Sequence, residues 1–177
     1  MGKLRFISSG RLEPICKEDL PLMYQWRNDS DIILRTRQWR KLYEREHEEW
    51  FENLDFNKHL MYMIIVHNDY LEEDIKVGVC GLCYIDWVNR CAEVSILIGD
   101  KNYYRQGIAT EAIKQLKVLA FEHMNFHKLY AEIYDYAESS LVLFKKCGFS
   151  EEARMKNTIY RNGLYWDSIF LSLLRKE

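Results

Sequence analysis

The spacing of apolar positions changes several times along this chain, and each change predicts an element. Residues 5–15 alternate as a strand does, with a bend expected at Ser8, Ser9 and Gly10. Residues 17–28 carry Leu20, Met23, Tyr24 and Arg27 at helical spacing, and residues 44–54 read as a second helix holding Trp50 and Phe51. Three β-type runs follow at 60–66, 76–87 and 93–98, separated by turn-rich segments at 67–74 and 88–90. The strongest helical pattern is 110–123, where Ala112, Ile113, Leu116 and Ala120 share one stripe, and a strand at 128–134 follows it directly. A short helix at 139–146 ends at Cys147-Gly148, with glycine at the position that closes a helix. The tail alternates over 153–160, turns at Asn162-Gly163 and returns through 165–173, a strong hairpin signal. No proline- or glycine-rich linker interrupts this order and no repeat is evident. One α/β (α+β) domain over residues 1–177 is therefore expected.

Composition narrows the classes of function. Of 177 residues, 48% are hydrophobic and 29% charged, enough for a sizeable core and too apolar for disorder. The 25 basic and 27 acidic residues balance to a net charge of −2, which offers no basic surface for nucleic acid or an anionic membrane. The longest apolar run, residues 60–66, is too short to span a bilayer. Position 6 is Phe6, which does not match a myristoylation signal, and no secretory h-region follows Met1, so a cytoplasmic location is expected.

The five cysteines (Cys16, Cys80, Cys83, Cys91 and Cys147) read as reduced thiols. Cys80 and Cys83 spell CxxC without a second pair. They sit on a predicted strand, where residues three apart face opposite sides. His123 and His127 have helical metal-ligand spacing but no accompanying carboxylate motif, so no metal is expected.

The most informative stretch runs from Val94 to Thr110. An apolar strand leads through Gly99 and a polar loop into the long helix, with Gly107 and Ala109 two apart at its opening. Such a loop exposes consecutive backbone N–H groups at a positive dipole end, a cradle for a pyrophosphate. A glycine needed only for turn geometry is the plain alternative.

The segment ending Tyr-x-x-x-Gly-x-Ala-Thr-Glu-Ala at Ala112 resembles the acetyl-CoA-binding core of the GCN5-related N-acetyltransferases (GNAT). The branch it resembles acetylates ribosomal-protein N-termini, polyamines and amino sugars. Trp26-Arg27-Asn28-Asp29, Glu46 to Phe51, Ala92-Glu93, Phe126 to Tyr130, Cys147-Gly148-Phe149 and the Asn162-Gly163 hairpin fit the same pattern in the same order. The resemblance implies a mostly antiparallel mixed sheet of about six to seven strands, splayed between strands 4 and 5 and flanked by about four helices.

It also implies roles. Ile96, Leu97 and Ile98 would run beside the pantetheine arm of acetyl-CoA. Tyr104, Arg105, Gln106, Gly107, Ile108, Ala109 and Thr110 would hold the pyrophosphate, and the helix from Ala137 would flank the thiol. Ala137 stands where the family usually has a cofactor-binding Asn. Phe144 stands where it usually has a Tyr that protonates the departing thiolate. Tyr136, or Tyr134 nearby, is then the candidate acid, and Glu93 the candidate base with Asp86 second.

The expected reaction is direct attack of a primary amine on the thioester. The acceptor would be a protein N-terminus, a polyamine or an amino sugar, and a homodimer is plausible for such a fold. A non-catalytic acyl-CoA-binding module is the alternative that Ala137 and Phe144 raise, and a nucleotide-binding domain is a third. Arg27, Arg35 and Arg37 are read either as solvated charge or as contacts to an anionic part of the acceptor. The five glutamates of residues 44–52 and Asp167 are read either as surface charge or as acceptor contacts, and the five tryptophans as core or cleft wall.

Overall fold

In this computed structural model, which describes residues 10–175, the first four β-type runs pair in chain order. β1 (Arg11–Pro14), β2 (Leu60–Asn68), β3 (Glu73–Asp86) and β4 (Cys91–Ile98) form an antiparallel meander. β5 (Lys128–Tyr134) joins β4 in parallel. β7 (Leu164–Leu174) and β6 (Ser150–Arg161) complete a seven-stranded mixed sheet in the order β1-β2-β3-β4-β5-β7-β6. A parallel neighbour requires a crossover. α4 (Ile108–Val118) supplies it and packs Ile108, Ala112, Ile113 and Leu116 on one face of the sheet.

The other face carries α1 (Leu20–Arg27), α2 (Ser30–Ile33) and α3 (Glu44–Glu52), around a smaller core of Met23, Trp26, Ile32, Met63 and Val79. β2 is covered on both faces. Met63 and Ile65 point to the α1 side while Ile64 and Val66 point to the α4 side, which is why that strand reads as an unbroken apolar run. Two turns follow from local chemistry. α5 (Glu138–Lys146) closes at Gly148 with φ 96°, and the β6–β7 hairpin turns on Asn162 and Gly163, both at positive φ. Gly99, at the end of β4, lies against the Trp26 indole, and any Cβ there would fall inside the ring.

The structure departs from the sequence reading at element ends. Residues 5–9 of the expected first strand lie outside the described residues. The helix expected from residue 17 opens as a 3-10 turn at Lys17–Asp19, with Pro21 in the first α-helical turn. The crossover helix starts two residues earlier than expected, at Ile108, and its last turn, Leu119–His123, is π-helical. α2 was not expected; Asp29 nucleates it by accepting the Asp31 N–H at 2.9 Å. Five helices, rather than about four, therefore flank the sheet.

Cys80 lies in the α4-side core, whereas Cys83 lines a cleft on the other face. Burial pushes both thiols up to about 12. His123 and His127 are exposed near the end of the π turn. Trp26 is buried, Trp50 and Trp166 are half-buried, and Trp39 and Trp87 are exposed. On α3, Glu46 pairs with Arg40 and Glu49 with Arg45. Among the described residues no helix is long and apolar enough to cross a membrane.

One buried group makes stability pH-dependent. His47 on α3 is 2% exposed and stacks on Trp50 at 5.4 Å, with Nε2 lacking a hydrogen-bond partner. Burial, reinforced by the nearby Arg27 charge, lowers its pKa to about 4. The unfolded chain therefore binds more protons than the folded one between about pH 6.5 and pH 4, and stability falls as pH drops through that window. The shift corresponds to about 3 kcal/mol. Urea unfolding across this range should show His47→Phe losing that much less stability than the wild type. Identical pH slopes for the two proteins would contradict this account.

Candidate active site

The site begins where two strands part. β4 and β5 pair only at Cys91–Lys128, Ala92–Leu129 and Glu93–Tyr130. Beyond Glu93 the strands diverge, leaving the β5-facing peptide groups of Val94 to Ile98 without a strand partner while β5 continues alongside β7. Unpaired backbone donors and acceptors seek equivalents, so this wedge suits an extended ligand that carries its own amides. A cleft of about 340 Å³ follows the wedge, walled by Ser95, Ile96 and Leu97 on β4 and Ala131 to Tyr134 on β5. Phe144 of α5 closes one side, 3% exposed and edge-on to Phe149 at 5.1 Å.

The loop after β4 leads directly to the start of α4. Asp100 accepts the Asn102 N–H at 2.9 Å, a 3-10 turn covers Lys101–Tyr103, and Gln106 donates to the Asn102 carbonyl at 2.7 Å. Arg105 and Gly107 then both take positive φ, 61° and 85°. Gly107 is the N-cap and offers no side-chain acceptor, so the first-turn N–H groups of Ile108, Ala109 and Thr110 remain open to an anion. A Cβ at Gly107 would meet nothing within 4 Å. Its glycine is thus a requirement of backbone angle, and the same open space is room for a ligand.

Across the splay stands a charged bridge. Arg37, on the loop between α2 and α3, donates to Glu93 at 2.9–3.0 Å and to Glu132 of β5 at 2.6 Å. Ser168 of β7 also donates to Glu132, at 2.5 Å. Burial pushes the Glu93 carboxyl above its ordinary range, with Arg37 opposing the shift. At Glu132 burial acts the same way, but Ser168 and Arg37 outweigh it and hold the pKa down. The two carboxylates thus differ in basicity, and Glu93 is the better proton acceptor.

The other candidates separate. Tyr134 lines the same cleft as Glu93 and Phe144. Tyr136 lines a second opening with Ala137, Glu138 and Trp166, and its hydroxyl is committed to the Leu34 carbonyl at 2.5 Å. Ala137 is the N-cap of α5, buried, with no side chain able to bond a ligand. Asp86 caps the β3–β4 turn by accepting from Asn89 at 2.8 Å, outside the cleft lining. Asp167 braces β6 through Asn157 and Arg154. Glu132 was missed by the sequence reading. Its signal was the strand alternation that puts a lone glutamate among apolar neighbours on β5.

Comparison with known proteins agrees with this geometry. A family model described as an acetyltransferase (GNAT) domain matches residues 11–150. The spermidine N(1)-acetyltransferase of Escherichia coli K12 is 27% identical over 176 residues, covering 96% of this chain and 88% of that protein. A putative ribosomal N-acetyltransferase of Bacillus subtilis is 32% identical over 100 residues, covering 56% of this chain and 54% of its own. The crystal structure of Vibrio cholerae spermidine N-acetyltransferase with CoA and spermine superposes with TM-score 0.83 at 22% identity, covering 94% and 95% of the two chains. The chain belongs to the GNAT acetyltransferase family and has its fold, including the splay between the fourth and fifth strands. It is an enzyme of acetyl transfer to an amine.

The α4 start gives a direct test. An L-residue at φ 85° is strained by about 1–2 kcal/mol, and a branched side chain also fills the open space. Gly107→Val should therefore weaken acetyl-CoA binding at least tenfold in a calorimetric titration, and far more than Arg105→Ala. A larger loss from Arg105→Ala would mean that side-chain charge, and not backbone geometry, holds the phosphates.

Proposed function

We propose that this chain moves the acetyl group of acetyl-CoA to a primary amine by direct attack, with Glu93 as general base. The observation that carries the reading is the buried carboxylate of Glu93 at the last paired position of β4 and β5, where the wedge opens. In this scheme the pantetheine amides pair with the free edge of β4, and the pyrophosphate sits on the N–H groups at the start of α4. The amine nitrogen attacks the thioester carbon, whose oxygen is polarised by a backbone N–H near Ile98. The proton passes to Glu93, the C–S bond breaks and CoA leaves as thiolate. A thiol pKa near about 8.5 lets the thiolate leave without full protonation, so Phe144 does not block the reaction. Tyr134 supplies the proton in place of the phenol that relatives carry at position 144.

A base matters most for the most basic acceptors. Freeing a lysine-like amine of pKa about 10.4 at pH 7 costs about 4.6 kcal/mol, against about 1 kcal/mol for an α-amine near 7.7. A protein N-terminus, a polyamine and an amino sugar all remain within the proposed class. The polyamine reading is supported by the names of relatives that match over most of this chain.

Thiol release from acetyl-CoA, measured with a panel of spermidine, an α-amino peptide and an amino sugar, tests the scheme. Glu93→Gln should lower kcat/KM by about 100-fold or more. A loss below threefold would remove Glu93 from the base role. If no amine stimulates thiol release from a folded chain that binds acetyl-CoA, the reading fails as a whole.

The acid is tested separately. With Tyr134 as the acid, Tyr134→Phe should lower kcat by about 2- to 20-fold and Phe144→Tyr should leave it nearly unchanged. A rise of about 2- to 20-fold for Phe144→Tyr with no loss for Tyr134→Phe would show that the native cleft supplies no acid. A fall in kcat for Phe144→Tyr together with a large loss for Tyr136→Phe would move the acid to Tyr136.

A further inference from the structure

The charges around the cleft do not suit a polycation. The acidic side chains that line it, Glu93 and Glu132, are both already bonded to Arg37. Arg27 and Arg35 line the same cleft, and neither forms an ion pair with any carboxylate among the described residues.

Arg27 is the more telling of the two. It ends α1 one turn beyond the buried Met23, and its Nε bonds only the neutral Gln38 side chain, at 3.3 Å. Gln38 is itself buried, fixed by donating to the Arg27 and Arg40 carbonyls. Burial alone pulls the Arg27 pKa down, with no compensating anion, although a guanidinium stays protonated.

The second opening adds to the imbalance. Arg35 lines it too, together with Arg161. Arg161 donates to the Tyr160 and Arg37 carbonyls, meets the Tyr136 side chain and lies 5.8 Å over the Tyr134 ring, with no carboxylate partner among the described residues. Of the acidic residues there, Asp31 is paired with Lys101, which leaves Glu138. Three arginines without a carboxylate partner thus face one unpaired glutamate across the two openings. For the partly buried Arg27, holding a guanidinium without a counter-ion is costly. Arg also presents a planar fork matched to carboxylate and phosphate.

We infer that the acceptor is a primary amine that carries a carboxylate or a phosphate close to the reacting nitrogen, and that Arg27, with Arg35, receives that anionic group. The inference rests on the proposed function only in taking this cleft as the acceptor site. The amine end then lies toward Glu93 and the anion toward the end of α1. Such an acceptor brings its positive charge to the carboxylates and its negative charge to the free arginines, whereas spermidine brings only the former.

Matched pairs that differ in the anion alone test this. Methionine against methioninamide, glucosamine 6-phosphate against glucosamine, and spermidine are titrated calorimetrically into the full chain with and without CoA. In at least one pair the anionic member should bind at least tenfold tighter than its neutral counterpart and tighter than spermidine. The responding pair tells carboxylate from phosphate. Arg27→Gln should shrink that ratio at least fivefold, and Arg27→Lys should restore part of it. Arg35→Gln, on an exposed loop, gives a second reading should the α1 variant fail to fold.

Neutral members binding as tightly as anionic ones in both pairs, or spermidine binding tightest, overturns the inference. So does a pair ratio unchanged by these substitutions. A loss that appears equally in every acceptor and in CoA affinity would assign the arginines to the cosubstrate's phosphates, and also overturns it. Because binding is read with and without CoA, these outcomes stand apart from a failure of acetyl transfer, which would count against the proposed function alone.

Discussion

Everything distinctive about this molecule follows from a ladder that stops after three residue pairs. β4 and β5 run parallel, which the α4 crossover between them allows, and each is held firmly by its other neighbour, β3 or β7. Two well-anchored strands that diverge create an interior edge, a row of free peptide groups within a protein rather than at its rim. The crossover that allows the parallel pairing also sets the start of α4 at the end of that edge. Peptide edge and helix N-terminus are therefore adjacent by topology, and no side chain has to be placed to bring them together.

The second determinant is the charged bridge across the opening. Arg37 reaches from the loop between α2 and α3 to one glutamate on each diverging strand. It links the helical layer to both halves of the sheet at the point where their backbone pairing ends. The same contact differentiates the two carboxylates. Glu132 gains a hydroxyl donor and Glu93 does not, so one serves as anchor and the other keeps its affinity for a proton.

The fold was legible in the sequence because its signals were local. Alternation or, for β2, an unbroken apolar run marked the strands, the 112-113-116-120 stripe marked the crossover helix, and Asn162-Gly163 fixed the last hairpin. The glycine that opens α4 could be read for the same reason, since Gly107 and Ala109 lie within three residues of chain. What escaped was long-range. Arg37 meets Glu132 across 95 positions and Glu93 across 56, and no window of sequence contains such a pair. Tyr134 and Tyr136 sit two apart on nearly the same pattern. Which of them shares the cleft with Glu93 is decided by where β5 ends and α5 begins. The short α2 was hidden because its four residues make barely one turn, too few for a hydrophobic period to repeat.

Arg37 also changes what it means for an acceptor to arrive. A guanidinium fixed to the chain acts as a resident competitor, present at an effective concentration that dilution does not lower. In the proposed scheme, an ammonium group approaching Glu93 would therefore enter by exchange with a tethered cation and not by filling an empty seat. A stray monovalent amine has no second contact to offset that exchange. An acceptor that also grips the cleft elsewhere would convert the exchange into a two-point fit, so under the proposed scheme the resident cation would filter acceptors by valency before any chemistry begins.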